Sequence, residues 1–341
     1  MKLTILIPVF NEIECIERFA KRLFHCFDKE QPEYIFINDG SNDDTERWLT
    51  KNIKSFKSSK NITLIDLPKN NGKGYALRKG LEIAKGDYIM LIDSDLEYDP
   101  ADCLEMYNII ISNSNIKVLF GSRFGSSKIQ YRKYFLNTIV VRINTFIYNF
   151  LFHQSISDLH CGSKIISRNI FDKIKLSIND FGFEIDLASQ IAKTNEKIYQ
   201  YGISYVGRTF DEGKKITWKD GLLSYYYLFK TRFIDNEVSI LISTVFSFFF
   251  MGYVGSHFGL GSGKIMLIIL FSIYGLFLGL KYKIASLSFI ILFIYLGSLF
   301  SKGNGKIYAV LVFFVSGLYL SKKINLIIKN NTNNKFINFF I

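Results

Sequence analysis

Asp93 and Asp95 stand two residues apart at the end of the apolar run YIMLI, and Glu97 follows two residues later. Carboxylates at that spacing, where a chain leaves a sheet, can jointly approach a hard divalent cation. Mg²⁺ or Mn²⁺ takes one or two such carboxylates and completes its shell with water and phosphate oxygens. An acid in this position can also cap the next helix, so its neighbours decide the reading. Two further polar clusters close apolar runs in the same phase: Pro8-Val9-Phe10-Asn11-Glu12 and Asn38-Asp39-Gly40-Ser41. The segment Pro68 to Gly74 (PKNNGKG) opens a helical pattern, and its glycines let backbone N–H groups come close to a phosphate or sugar. It lacks the spacing of a Walker A loop, which disfavours a P-loop nucleotidase.

The elements that must position these groups alternate. Strands are expected at 3–9, 34–39, 62–67, 88–93 and 117–122, with helices near 12–27, 43–53, 74–85 and 100–112. Near-continuous apolar strands separated by helices indicate an α/β domain with a mostly parallel sheet covered on both faces. Ligands bind such sheets beyond the carboxyl ends of the strands, where the three polar clusters converge. The four cysteines (15, 26, 103 and 161) form no CxxC pair, as expected of reduced thiols. His160-Cys161 is not read as a joint metal or nucleophile site, because neighbours in an extended segment point opposite ways.

The chain has 341 residues, 49% of them hydrophobic, and a net charge of +12. From Asp235 onward nine lysines face two acids in the most apolar third of the chain. That combination points to a membrane and away from nucleic acid, whose binders place charge on a polar face. Four apolar stretches within 237–322 are expected to span the bilayer, followed by a tail at 323–341. Several are shorter than the roughly 20 residues a bilayer core requires, which leaves a thin bilayer or packing between protomers of a homo-oligomer open. Lysines around the spans favour one side, and 1–12 has no cleavage site of a secretory signal. The expectation is therefore a multi-pass protein of the cell inner membrane with both termini and the catalytic domain cytoplasmic. Residues 134–152 and 221–236 are expected as helices lying in the interface beside the 1–220 domain, because aromatic and apolar residues there flank Arg142, Lys230 and Arg232.

IPVFNE, NDGSNDDT, NNGKGYAL and DSDLEYDP, in this order, resemble the glycosyltransferase family 2 domain with its GT-A fold. GSR (121–123), DLHCGSK (158–164), FGFEID (181–186) and RTFDEGKK (208–215) extend the likeness to the polyprenyl-phosphate glycosyltransferases, the dolichol-phosphate mannose synthase group. The resemblance implies that Pro8, Asn11, Glu12 and Asp39 hold nucleobase and ribose, and that Lys73 and Asp93 line the nucleotide-sugar cleft. Asp95, Glu97 and Asp93 would hold Mg²⁺ or Mn²⁺ at the diphosphate. Arg123 and Arg132 would meet donor or lipid phosphate, as would Arg208 and Lys215. Asp186 would position the sugar, or else serve the start of a helix near Phe183. The implied reaction is inverting transfer of a hexose from a UDP- or GDP-sugar to undecaprenyl or dolichyl phosphate. A phosphate acceptor is already ionised, so no dedicated base is required.

Three departures stand out. Ser163 replaces the usual Phe of CGFK, Glu212 to Lys215 replaces GESK and leaves the register of the late basic cluster open, and Glu97 stands where Gln is frequent. A processive polysaccharide synthase is a rival reading, but neither Trp48 nor Trp218 follows the Gln-x-x-Arg pattern of those enzymes. A non-catalytic scaffold or translocase subunit would be favoured by loss of the carboxylates, which are present.

Overall fold

The structure is a computed structural model that describes residues 2–56, 61–124, 127–209, 211–213 and 218–234. Residues up to Thr231 form one compact unit, and Arg232 to Ile234 are the only described part of a second. The expected spans in 237–322, the tail at 323–341 and Lys215 lie outside the described residues.

In chain order the strands are β1 (Leu3–Val9), β2 (Glu33–Asn38), β3 (Ile62–Asp66), β4 (Tyr88–Leu91), β5 (Val118–Ser122), β6 (Gln130–Tyr131), β7 (Lys164–Ser167), β8 (Tyr199–Gly202) and β9 (Tyr205–Val206). The helices are α1 (Ile16–Cys26), α2 (Thr45–Asn52), α3 (Lys73–Ile83), α4 (Pro100–Ser112), α5 (Phe135–Phe152), α6 (Arg168–Phe171), α7 (Phe183–Lys193) and α8 (Trp218–Phe229). The main sheet runs β3-β2-β1-β4-β7-β5-β8, and β6 pairs with β9 in a small second sheet. All main-sheet pairings are parallel except those of β7, which runs antiparallel to both β4 and β5. The expected α/β architecture with a mostly parallel sheet is therefore observed.

Both faces of the sheet are buried because its strands are apolar on both sides. Leu3, Ile5, Ile7, Tyr34, Phe36, Tyr88 and Met90 pack in one core cluster with α1, α2 and α4 residues. Leu6, Ile35, Ile37, Ile89 and Leu91 pack on the other face with residues of α3, α5 and α7. The two sets alternate along each strand, as the period of two requires.

Several element ends differ from expectation, each for a local reason. β4 stops at Leu91, and the Ile92 N–H makes a last 3.3 Å bond to the Leu6 carbonyl before the chain turns. Asp93 therefore stands on the exit turn and not on the strand. α1 begins at Ile16, because the Glu12 carbonyl accepts from the Cys15 and Ile16 N–H groups in a turn that precedes it. α4 runs over the expected 100–112, started by Pro100 and by Asp99, whose side chain accepts from the Ala101 N–H. β7 was not expected, and α8 carries the first compact unit past the expected boundary at 220.

Helix α5 is the one helix among the described residues long and apolar enough to cross a bilayer. It lies along α7 and α8 and buries Asn144, Thr145, Tyr148 and Phe152. Phe135, Leu136, Ile143 and Phe146 on α5 remain exposed, as do Leu223, Tyr226 and Phe229 on α8.

Candidate active site

The carboxyl ends of β1, β2 and β4 open into a cavity of about 990 Å³. Pro8, Glu12, Asp39, Lys73, Asp93, Asp95, Glu97, Arg123, Arg132 and Arg208 all contribute to its walls. One side is built from the strand ends and the other from α5, the 180–184 segment and α8, so acidic and apolar surfaces share one space.

At the acidic end the charges are interlocked. Lys73 begins α3 immediately after Gly72, whose φ of 96° is a left-handed conformation that glycine adopts without strain. The Lys73 Nζ sits 2.6 Å from Asp93 Oδ1 and 2.6 Å from Glu184 Oε1. Burial opposes ionisation of Glu184, but Lys73 outweighs it and holds that carboxyl below its ordinary range. Arg208 closes the other flank. Its guanidinium bonds Glu12 Oε2 at 2.8 Å and reaches Asp95 Oδ2 at 3.2 Å, while its backbone N–H donates to Glu97 Oε1 at 2.9 Å. Burial first, then the Glu97 and Asp93 charges, push Asp95 up to about 7 despite Arg208. Arg208 itself stays firmly charged, because Asp95 and Glu12 outweigh its own burial.

Asp39 and Asn11 serve the loops. Asp39 accepts from the backbone N–H groups of Asn71 and Gly72 at 2.9 and 2.8 Å, fastening the glycine turn to β2. Asn11, with φ 50°, accepts from the Asn42 N–H at 2.9 Å and ties the ends of β1 and β2 together. Unlike Pro8, Glu12 and Asp39, it is absent from the cavity wall.

Arg123, 5.2 Å from the Tyr205 ring, is clamped by Asp158. Its Nε and Nη2 donate to Asp158 at 2.7 and 2.9 Å, and its own backbone N–H adds a third bond of 3.0 Å. Burial would raise Asp158, yet Arg123 holds it below the usual carboxylate range. Arg132 has no carboxylate partner among the described residues. It donates to the Arg123 carbonyl and lies 4.5 Å from the Phe124 ring. Burial and then the Arg123 charge push it below the ordinary arginine range, an environment that an anion would relieve.

Asp186 stands in the first turn of α7, the second of its two expected placements. It is fully buried in α7, where Oδ2 accepts from the Ser177 and Ile178 N–H groups at 2.7 and 3.0 Å and so fixes the loop before the helix. It does not line the cavity, whereas Glu184 does. Two residues along a helix turn a side chain through roughly 200°, so FGFEID presents one acid to the cavity and the other to the core. Sequence reasoning missed Glu184 and Asp158, although both lie in motifs it had singled out.

Among the described residues no group of three or more His, Cys, Asp or Glu side chains forms a ready-made metal cluster. The donor chemistry nevertheless fits one hard cation shared with a ligand. The carboxylates at 93, 95 and 97 are oxygen donors on one cavity wall, and Asp95, raised first by burial and then by the Glu97 and Asp93 charges, is a group that a cation would help to ionise.

Residues 4–175 match the profile of glycosyl transferase family 2. Among curated proteins, dolichyl-phosphate beta-glucosyltransferase of Dictyostelium discoideum is 26% identical over 217 residues, covering 60% of this chain and 66% of that protein. The human protein of the same name is 25% identical, covering 54% of this chain and 61% of its own length. The chain thus spans under two thirds of the length of these relatives. Among solved structures, glucosyl-3-phosphoglycerate synthase from Mycobacterium tuberculosis in complex with Mn²⁺ and UDP-glucose superposes with a TM-score of 0.54. It is 18% identical, with 68% of this chain and 79% of that one covered, a likeness of fold.

Proposed function

The chain belongs to glycosyl transferase family 2, and from that premise we propose that it moves a hexose from a UDP- or GDP-sugar to a polyprenyl phosphate, undecaprenyl or dolichyl, at a membrane surface. The observation that carries the reading is the union, in one cavity, of the carboxylates at 93, 95 and 97, the two arginines 123 and 132, and an apolar wall from α5 and α8. Sugar transfer to a lipid phosphate brings three phosphates together, and their charges need countering from both sides. The named activity of the curated relatives supports the same acceptor class.

In this account Pro8, Glu12 and Asp39 face the nucleoside, with Asn11 shaping the loop beside them. Lys73, held by Asp93 and Glu184, borders the sugar-diphosphate. Asp95 with Asp93 and Glu97 would hold Mg²⁺ or Mn²⁺, and a bound ion would supply charge neutralisation on the departing diphosphate. Arg208, and Lys215 beyond the described residues, add positive charge near that group. Arg123 and Arg132 receive the lipid phosphate and orient one of its oxygens toward the anomeric carbon. The phosphate arrives ionised, so none of these residues has to remove a proton. Asp186 supports the site through the loop it fastens.

Leu136 of α5 and Leu223 of α8 line the same cavity, and with the other exposed apolar residues of these helices they suit an interfacial setting with the polyprenyl chain alongside. The spans expected in 237–322 and the cytoplasmic placement of both termini belong to this proposal. So does attachment to an inner membrane, either as a single chain or as a homo-oligomer. The experiment is direct. Purified full chain receives Mg²⁺ or Mn²⁺, a polyprenyl phosphate and a panel of labelled nucleotide sugars. Label should enter the organic phase with one donor, and Asp95→Ala should abolish it. Undiminished transfer by that variant, or by wild type in chelator, would overturn the metal-dependent mechanism.

A further inference from the structure

Two ion-paired groups contribute to the cavity wall. Lys73 is engaged by Asp93 and Glu184, and Arg123 is engaged by Asp158. Two uncharged polar side chains, Asn144 of α5 and His160 of the loop before β7, line the wall of the same cavity. The Asn144 Nδ2 and His160 Nε2 atoms are 3.2 Å apart. The imidazole is within electrostatic reach of Asp158 and Arg123 and also of Glu184 and Lys164. Two residues beyond it, Gly162 abuts Asp93 so closely that a Cβ there would sit 2.1 Å from Asp93 Oδ2.

Asn144 is 1% exposed on α5, and its Oδ1 has no hydrogen-bond partner among the described residues. A buried amide left half-satisfied calls for a partner from outside the protein. Exchanging the amide's oxygen and nitrogen does not remove the requirement, because one end then bonds His160 and the other remains open. Burial pushes His160 down to about 4, so the ring is neutral at physiological pH and can accept at one nitrogen while donating at the other. A group suited to this wall is uncharged, donates and accepts hydrogen bonds, and lies within reach of both the Arg123–Asp158 pair and Glu184. The transferred sugar ring has all three properties.

We infer that His160 and Asn144 form the wall that recognises hydroxyl groups of the transferred hexose, His160 by contact and Asn144 by orienting the imidazole, so that the pair sets which sugar is accepted. The inference rests on the proposed sugar transfer and deepens it. The expectation that His160-Cys161 is no joint metal or nucleophile site stands beside this role, since Cys161 is a buried thiol and His160 acts here through hydrogen bonds.

The test compares wild type, His160→Phe, His160→Gln and Asn144→Leu as full-length protein in detergent. Affinity for the nucleoside diphosphate of the preferred donor, UDP or GDP, should stay within twofold in all, because it carries no sugar. With the preferred nucleotide sugar, kcat/KM should fall at least tenfold in His160→Phe, and preference over the epimeric donor should collapse to within about threefold. His160→Gln, which keeps an amide in place of the ring, should retain activity within threefold. Unchanged selectivity in His160→Phe would overturn the inference, as would a loss confined to the KM for the lipid phosphate.

A second readout needs no altered core. In wild type carrying ¹⁵N-labelled histidine, the imidazole resonance that His160→Gln eliminates should move when the matching nucleoside diphosphate, UDP or GDP, is replaced by the nucleotide sugar. A resonance that does not respond to the sugar would also overturn the inference. Absence of any lipid-linked product from wild type would refute the proposed acceptor, and the histidine signal would still report on the sugar.

Discussion

Replacing Asp158 with asparagine removes a charge and almost no volume, which makes it a clean probe of the clamp on Arg123. Asp158 is wholly buried and accepts three bonds from Arg123 between 2.7 and 3.0 Å, while the arginine side chain is 12% exposed toward the cavity. Removing one partner of a buried pair costs about 3–5 kcal/mol. The residual access of Arg123 to solvent favours the lower figure, about 3 kcal/mol. For a unit of this size, each kcal/mol lowers the melting midpoint by roughly 2–4 °C, so Asp158→Asn should melt about 6–12 °C below wild type at pH 7.5. The sign of the pH dependence follows from the depressed carboxyl. A group whose folded pKa lies below its unfolded value, about 3.9 for Asp, stabilises above that value and loses its contribution as pH falls through the folded one. The gap between wild type and variant should therefore narrow below about pH 4. Arg123→Met combined with Asp158→Asn should cost less than Asp158→Asn alone, because no unpaired charge is left behind. Calorimetry of full-length protein in detergent measures all three. A shift under about 2 °C at pH 7.5, or a gap that widens on acidification, would refute the reasoning.

Gly162→Ala places a methyl where Asp93 Oδ2 now lies, so the carboxylate must move off Lys73. A displacement near 1 Å at a reacting centre costs about a hundredfold, and steady-state kcat/KM for the donor should fall by about that factor. The two acids of α7 should separate by phenotype. Glu184→Gln should lower turnover at least tenfold, whereas Asp186→Asn should lower stability by about 2 kcal/mol and leave kcat within threefold. The reverse pattern would return Asp186 to the site. Phe135→Ser with Leu136→Ser and Phe146→Ser removes exposed apolar surface from α5. It should cut turnover of a long polyprenyl phosphate in vesicles about tenfold, with a short soluble prenyl phosphate unaffected. Equal losses on both acceptors would count against an interfacial role.

The parts of the fold visible in the sequence were those governed by local pattern. The five leading strands and the helices between them follow from apolar runs and their polar closures, and α4 carries its own start signal in Asp99-Pro100. β7 was hidden because KIIS is a short apolar segment that owes its strand geometry to pairing with β4 and β5 on either side. The site divides in the same way. Asp93, Asp95 and Lys73 were identifiable from motifs, and the structure places them in one cavity. The contact of Arg208 with Glu12 joins residues 196 positions apart, which no spacing rule anticipates. Asp186 and Glu184 could be told apart only by the rotation of α7 against the sheet.

The central claim is that a lipid phosphate attacks the anomeric carbon directly, held by Arg123 and Arg132 in the cavity they share with the carboxylates. It is tested by phosphorus and proton NMR of the lipid product made from an α-linked nucleotide sugar. The account predicts a phosphodiester between sugar C1 and lipid with inverted anomeric configuration, accompanied by release of nucleoside diphosphate. A retained configuration, a lipid diphosphate formed with release of nucleoside monophosphate, or equal transfer to the free polyprenol would contradict it.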